Sequence, residues 1–229
     1  MPTYDPILNT EIAQGQPLTG SLITRLRDNP LALISAVPTE LVGNSNTQTT
    51  DYTSYYQVPT GVNLLMVICV GGGGGGARSP TGAGTSGRVK CGFVTTTGGA
   101  LINYTIGGAG AGTNGYGDNG GDTIFDGSIT GKGGFGGSQT RDYRFGPFND
   151  ANEQKFITGG VAGAPSTYGQ GGGAAGVPWF LRTSSLGNGG NGGGAGGHAT
   201  GYGAGGGAGI GAIGGNGTAG IIFVLPLQA

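Results

Sequence analysis

Charge is scarce in this chain, and its scarcity excludes several kinds of partner. The 229 residues include only 10 Lys and Arg against 11 Asp and Glu, which gives a formal net charge of -1. A surface that follows a phosphate backbone or an anionic membrane needs clustered basic residues. The sequence contains no such cluster. We therefore expect neither nucleic acid nor an anionic membrane among its partners.

Long apolar runs are also missing. No run approaches the ~18 residues that a membrane-spanning helix needs. Residues 1–5 lack the basic start and the apolar core of a secretory signal. The sequence therefore predicts synthesis in a cytoplasm and no insertion into a membrane.

The side chains that most enzymes use as bases and metal ligands are rare. His198 is the single histidine, and no nucleophile can be paired with it from the sequence. Metal-ligand spacings such as Cys-x-x-Cys are absent. Asp118, Asp122 and Asp126, at a spacing of four, leave a structural ion open, although the strict calcium-loop pattern is missing. We expect that the protein is not an enzyme and that it binds neither a cofactor nor a metal ion.

Only two cysteines are present, Cys69 and Cys91, and both fall in apolar segments with the character of strands. A disulfide is possible if the two strands pair. Cysteine is often buried as a small apolar side chain, so two buried thiols are the favoured interpretation.

Glycine, by contrast, accounts for 58 residues. The tracts are not collagen, because their Gly-X-Y period is not strict and proline is rare among them. Aromatic and β-branched residues interrupt the tracts and charge is low, which argues against disorder. A set of flexible linkers is the alternative. Ordering a glycine costs roughly 0.5–1 kcal/mol more than ordering an alanine, so an ordered structure demands dense backbone contacts.

Polyglycine II helices would supply those contacts. Such a helix has three residues per turn and no internal hydrogen bonds, so neighbouring helices can exchange N–H to carbonyl bonds. We predict a packed sandwich of these helices. Small residues recur at a spacing of three near the end of the chain, at Gly205, Ala208, Gly211, Gly214, Gly217 and Gly220.

Apolar stretches separate the glycine tracts, and their patterns predict short β-strands. Stretch 62–70 is apolar throughout, which is typical of a strand buried on both faces. In the stretch 87–95, Val89, Cys91 and Phe93 share one side. We predict a mainly β fold, in which a small antiparallel, sandwich-like base anchors the polyglycine II sandwich. The predicted strands are 52–58, 62–70, 87–95, 101–106, 123–125 and 221–225.

The start of the chain differs in character from the rest. A Thr-Gly-Ser cap can begin a short helix over 22–28, in which Leu22, Ile23 and Leu26 share an apolar face. A helix this short is not stable alone in water. We predict that it docks onto another chain, with packing on its own domain as the alternative. The predicted regions are an N-terminal attachment or oligomerisation segment (1–43), a polar linker (44–51) and a glycine-rich receptor-binding domain (52–229).

Two stretches between the glycine tracts carry many of the bulky side chains. Residues 138–158 combine charged residues with several aromatics, and residues 177–186 contain the only tryptophan, Trp179. Aromatic-rich loops on a rigid frame are where recognition tends to lie. The alternative is that these aromatics fill the core of the domain, above all Phe145, Phe156, Trp179 and Phe180.

The order of several motifs resembles bacteriophage tail fibres. The start, from Asp5 to Pro17 and then from Leu22 to Asn29, is similar to the opening of many tailed-phage fibre proteins. Further motifs resemble, in order, the glycine-rich domain at the ends of such fibres, and they span about residues 52–225. These motifs are Tyr56-Gln-Val-Pro-Thr-Gly-Val62, Val67-Ile-Cys-Val-Gly-Gly72, Tyr104-Thr-Ile-Gly-Gly-Ala-Gly110, Gly120-Gly-Asp-Thr-Ile-Phe125 and Gly220-Ile-Ile-Phe-Val224.

The resemblance implies a non-enzymatic tail fibre or tail-tip adhesin of the virion, similar to the adhesins of T-even-like phages. Loops at the distal end of the polyglycine II sandwich would bind a host surface receptor, an outer-membrane protein or a polysaccharide. Other tail proteins would be partners through residues 1–43, and we expect a homotrimer. The short N-terminal segment with its own helix departs from those adhesins, so the chain either caps another fibre or is itself the fibre.

Receptor contacts are expected from the bulky side chains of these loops. The alternatives are a structural virion or fibre protein without receptor contact, and a glycine-rich ice-binding protein. The predicted contact residues are Tyr116, Phe135, Arg141, Tyr143, Arg144, Phe145, Phe148, Tyr168, Pro178, Trp179, Phe180, Arg182, His198 and Tyr202.

Overall fold

The computed structural model describes residues 19, 21–25, 38–78, 82–137 and 196–227. Within these ranges the chain forms two antiparallel sheets, together called the base, and a glycine-rich region beside them. The mainly β character and the antiparallel base confirm the sequence prediction. The strands are β1 (Thr39–Leu41), β2 (Tyr52–Gln57), β3 (Leu64–Val70), β4 (Val89–Thr95), β5 (Leu101–Ile106), β6 (Thr123–Phe125), β7 (Ile129–Gly131) and β8 (Ile221–Leu227).

The strand order is β1-β8-β3-β4 in the first sheet and β2-β5-β6-β7 in the second. Strands β5 and β6 have the predicted bounds, whereas β3 and β4 begin two residues later and β8 continues to Leu227. The sequence pattern does not predict β1 and β7. Each of these two is 3 residues long and pairs with a neighbouring strand, β1 with β8 and β7 with β6.

The main core lies between the two sheets. Strand β3 contributes Leu65 and Val67, and the facing sheet contributes Ile106 and Phe125, all of them 0% exposed. The ring of Phe125 lies 6.1 Å from that of Tyr56 in a tilted arrangement, which is a favourable geometry for an aromatic pair. Apolar burial between two facing sheets is therefore the main stabilising contribution to the base.

The other face of β3 is buried as well. Ile68 and Val70 form a second apolar cluster with Val89 and Phe223. Burial on both faces, which the apolar sequence of this strand predicts, is therefore confirmed for its second half. On β4, Phe93 lies beyond the cluster and is 64% exposed.

The two cysteines are both free. Cys69 pairs with Lys90 across the sheet, whereas Cys91 pairs with Ile68. Because successive residues of a strand face opposite sides, the two thiols lie on opposite faces of the sheet and form no disulfide. Cys69 is fully buried and Cys91 is half-buried, and this burial raises the pKa of both thiols.

Most glycine segments continue directly from a strand or lead directly into one. Segment I, for example, follows β3, and segment VIII leads into β8. Together these segments form the glycine region. They are I (71–77), II (82–88), III (107–113), IV (117–122), V (132–137), VI (196–200), VII (203–209) and VIII (214–220).

Segment I donates its N–H groups to three neighbours in rotation. Residues 71, 74 and 77 donate to segment II, residues 72 and 75 to segment IV, and residues 73 and 76 to segment VIII, at 2.6–3.0 Å. Its carbonyl oxygens accept in the same rotation from segments III, V and VII. Each neighbour is therefore met again after three residues.

The neighbours of segment I also bond to one another in a closed ring, in the order II, VII, VIII, III, IV and V. Segments that accept from segment I run antiparallel to it, and segments that donate to it run parallel. Directions therefore alternate around the ring. Segment VI lies outside the ring and bonds to segments VII and VIII.

No Cβ atom fits at residues 71–76. A Cβ built on Gly71 would clash with the carbonyl oxygen of Lys132, and one built on Gly73 would clash with that of Ala204. None of these glycines has a positive φ, so alanine could adopt the same backbone conformation. Close packing, and not conformational freedom, therefore requires glycine along this segment.

Residues 21–25 of the predicted N-terminal segment form a helical turn, in which Leu22 N donates to Thr19 Oγ1 at 3.2 Å. Leu22 is buried, but Ile23 is 54% exposed. The helix over 22–28 and its shared apolar face stay a prediction, because Leu26 and the rest of the predicted helix lie outside the described residues.

The predicted linker, residues 44–51, lies alongside the glycine region and forms hydrogen bonds with it. Ala219 N donates to Asn46 O at 2.7 Å, and Ala109 N donates to Gln48 O at the same distance. Gly108 N donates to Asp51 Oδ1 at 2.8 Å. The division of the chain into an attachment segment, a linker and a receptor-binding domain stays a prediction.

Candidate functional site at the distal end

The end of the glycine region far from the sheets, called the distal end, gathers several chain turns. Arg78, the residue after segment I, is tied to the turn between segments III and IV, because Arg78 N donates to Gly115 O at 3.3 Å. Residues 210–213 connect segments VII and VIII at the same end. Turns of different parts of the chain therefore share one surface.

Residues 137 and 196, which flank the stretch 138–195, also lie toward this end. Gly137 N donates to Gly75 O at 2.8 Å, and Gly196 N donates to Ile213 O at 3.1 Å. Both contacts lie near the distal ends of segments I and VIII. The chain thus leaves the described part of the fold, and returns to it, near the distal end.

Two large side chains are exposed on the described part of the distal end. Tyr116 is 62% exposed and Ile213 is 52% exposed. The Tyr116 turn is held by Thr113, whose hydroxyl donates to Tyr116 O and accepts from Gly115 N at 3.0 Å. This turn presents the tyrosine ring on a backbone that is already hydrogen-bonded.

Phe135 lies on the side of the glycine region and not at its distal end. Its backbone belongs to segment V, midway between the sheets and the distal turns, and its ring is 41% exposed. The guanidinium carbon of Arg88 lies 5.5 Å from the ring centroid, a distance at which a cation–π attraction operates.

His198 also lies on a side of the glycine region, in segment VI. Its Nδ1 accepts a hydrogen bond from Asn216 N at 3.0 Å. An imidazole nitrogen accepts only when it carries no proton, so the hydrogen bond assigns the unprotonated nitrogen as Nδ1. The side chain is exposed, and its hydrogen bond with Asn216 N joins segments VI and VIII.

Tyr202 lies at the opposite end, next to the base. It packs against the apolar cluster that includes Val70 and Phe223. Burial raises the pKa of its hydroxyl, and the nearby Glu40 carboxylate raises that pKa further. The described candidates are therefore not brought together, since only Tyr116 lies at the distal end.

The other predicted contact residues lie outside the described residues. Their part in binding stays a prediction. They are Arg141, Tyr143, Arg144, Phe145, Phe148, Tyr168, Pro178, Trp179, Phe180 and Arg182.

Ile213 is a distal side chain that the sequence reasoning missed. It lies between Ala212, which follows Gly211 with its φ of 67°, and the glycines at 214 and 215. Large apolar residues within a glycine turn, here Ile210 and Ile213, are the signal that could have identified it, because such side chains have few neighbours to bury them.

Other chemistry is sparse in the described part of the chain. Across residues 38–78, 82–137 and 196–227, His, Cys, Asp and Glu nowhere come together in a group of three that could hold a metal ion. Likewise, none of the described helical residues belongs to a helix long and apolar enough to cross a membrane. No protein-family model matches the chain, and no curated protein matches its sequence.

Proposed function

We propose that this chain is a host-attachment protein of a bacteriophage tail, a fibre or tip adhesin that binds a receptor on the bacterial surface. One observation carries the proposal. The exposed Tyr116 and the flanks of residues 138–195, which include both aromatic-rich stretches, lie toward the distal end. Leu227, by contrast, pairs with Leu64 at the far end of its sheet, and Pro38 lies toward that end. A molecule with its ends so divided is suited to attachment at one end and recognition at the other.

The glycine region is proposed to be a bundle of polyglycine II helices. Supporting this, each neighbour of segment I recurs after three residues, which is the period of that helix. Burial from the last residue of β7 along segment V has the same period, since residues 131, 134 and 137 are buried while Lys132 and Phe135 are exposed. Such a bundle is a rigid frame that contributes few side chains of its own to a binding surface.

Attachment to the virion is assigned to residues 1–43, and the chain acts in the tail as a homotrimer. The receptor is an outer-membrane protein or a polysaccharide. Aromatic side chains supply large contact area at low entropic cost. Weak contacts of single loops then add up through several copies on one particle. No catalytic step is part of the proposed function.

Binding of the purified chain to bacterial envelopes tests the proposal. Labelled protein is titrated onto envelope fractions from a panel of bacteria, and Tyr116→Ala and the double variant Trp179→Ala/Phe180→Ala are compared with the wild type. We expect at least a tenfold loss of affinity for the double variant. For Tyr116→Ala we expect a smaller loss.

Tyr55→Ala is the matched control. Tyr55 is 64% exposed, much like Tyr116, but it lies on a sheet of the base. Equal losses for the Tyr55 and distal variants would contradict a distal binding site. Binding to no envelope would favour a structural virion protein, and thermal hysteresis of the wild type would favour an ice-binding protein. Loss of folding in the double variant would assign Trp179 and Phe180 to the core.

A further inference from the structure

Segment V is part of the ring, and only one side of it faces segment I. The N–H groups of residues 134 and 137 donate to segment I, to Gly72 O and Gly75 O, both at 2.8 Å. The N–H groups of residues 133, 135 and 136 have different directions, because the chain rotates by a third of a turn for each residue. Their partners are side chains.

Three side chains accept these outward hydrogen bonds. Gly136 N donates to Asn119 Oδ1 at 2.8 Å, and Gly133 N donates to Asp122 Oδ1 at 2.9 Å. Asn119 and Asp122 are three residues apart, as are the two glycines that they contact. On the other side, Phe135 N donates to Thr85 Oγ1 at 2.7 Å.

The Asp122 contact is further held by an ion pair. Its second oxygen, Oδ2, accepts from Lys132 Nζ at 2.7 Å. Segment III has side-chain contacts of the same kind, since Gly108 N donates to Asp51 Oδ1 and Gly112 N donates to Asn216 Oδ1, both at 2.8 Å. Polar side chains thus accept hydrogen bonds from outward-directed backbone N–H groups at several places on the perimeter of the ring.

A free N–H at the edge of a hydrogen-bonded backbone array is a site where another chain can add, as at the edge of a β-sheet. In the glycine region, the backbones of neighbouring segments lie so close together that their N–H and carbonyl groups bond directly. Only a segment without side chains can come that close. The occupant that fits such an edge is therefore a glycine segment of a second copy of this chain.

We propose that Thr85, Asn119 and Asp122 are edge caps that prevent segment V from adding a glycine segment of a second copy. Each cap places an oxygen where the carbonyl of an added segment would lie. The caps thereby limit the hydrogen-bonded array to one chain. This inference depends on the described hydrogen bonds and not on the proposed receptor.

The test removes two caps with substitutions that nearly keep their shape. In the full-length double variant Thr85→Val/Asn119→Leu, Asp122 is retained so that Lys132 keeps its partner. Molar mass is measured by light scattering over a hundredfold range of concentration. We expect a mass at least twice that of the wild type at the highest concentration, falling on dilution.

Two controls distinguish association caused by the loss of the caps from association caused by a more apolar surface. The variant Thr85→Ser/Asn119→Asp keeps an oxygen at both positions and should have the wild-type mass. Asp118→Leu places the same apolar side chain on an exposed position of segment IV that is not one of the caps. It should also have the wild-type mass.

A double variant that stays folded, by circular dichroism, and keeps the wild-type mass throughout would overturn the proposal, because water would then satisfy the freed N–H groups. Assembly of Asp118→Leu to the same extent would overturn it as well. If the double variant fails to fold, Asn119→Leu alone is measured by the same criteria, since Asn119 is an exposed side chain.

Discussion

The base and the glycine region of this protein are stabilised by different groups of atoms. In the base, large side chains such as Leu65 and Phe125 are removed from water between two sheets. In the glycine region, backbone N–H and carbonyl groups of neighbouring segments satisfy one another, and even a methyl group has no room at residues 71–76. Buried volume is therefore filled by side chains in one region and by backbone in the other.

This difference predicts how each region tolerates change. A side-chain core can adjust rotamers when a neighbour grows or shrinks. A core of packed backbones has no rotamers to adjust, and a shift of one segment disturbs every hydrogen bond that it makes. We therefore expect substitutions in segment I to act on the whole glycine region at once.

The largest effect is expected for Gly74→Ala. The new Cβ would clash with the carbonyl oxygen of Phe135, and neither backbone can move without breaking bonds of segment I. We expect a loss of at least about 3 kcal/mol in the free energy of unfolding, measured by urea denaturation. Gly115→Ala is the control, because its Cβ would have only Thr113 Oγ1 nearby, at 3.9 Å. Similar losses for both variants would show that backbone packing is not the cause.

An intermediate effect is expected from alkaline pH, acting on the base. Burial raises the pKa of the Cys69 thiol above its ordinary value of 9.0. The unfolded chain then releases this proton at a lower pH than the folded chain does. The thiol's contribution to stability is therefore complete below about pH 9 and is lost as the pH rises above it, by up to about 1.4 kcal/mol per pH unit.

Cys69→Val, which has a similar volume, should reduce this alkaline loss, as followed by urea denaturation at pH 8 to 10.5. Burial also raises the pKa of Tyr56, so some loss should remain in the variant. An unchanged pH profile in Cys69→Val would exclude the thiol as a cause.

The smallest effect is expected for Gly92→Ala in β4. A Cβ at this position would lie 2.9 Å from Ile129 Cδ1, the end of a flexible side chain. A small rotation of that side chain makes room, so we expect a change of less than about 1 kcal/mol. A loss as large as that of Gly74→Ala would remove the distinction between the two regions. Thermal unfolding of the two variants side by side makes the comparison.

Much of the base can be predicted from local pattern. Stretch 101–106 alternates apolar and polar residues, and β5 occupies those residues with Ile102, Tyr104 and Ile106 buried. Strands β1 and β7 could not be predicted, because each depends on a partner strand that is set by the fold of the chain around it.

The distal end was harder to predict than the base. Of the described candidates, Tyr116 lies there, but Tyr202 packs next to the sheets and His198 joins two segments on a side. All three stand singly among glycines in the sequence. A glycine tract has no amphipathic pattern, so the sequence does not indicate how far along a segment each residue lies.

The spacing of three between small residues near the end of the chain shows the limit of what a local sequence pattern can predict. Gly214, Gly217 and Gly220 each donate to segment III, as a threefold repeat predicts. Gly211, which continues the same spacing, lies in the turn between segments VII and VIII with a φ of 67°. Spacing alone does not distinguish a glycine that packs from a glycine that turns.

Amino-acid composition and apolar pattern were enough to establish a mainly β protein with an antiparallel base, since the alternation of side chains is a local property of a strand. The ring of segments around residues 71–77, the separation of the distal end from Leu227, and the pairing of several outward N–H groups with side chains followed only from the folded arrangement. Hydrogen bonds between glycine segments join residues far apart in the chain, and a residue without a side chain carries no local sign of its partner.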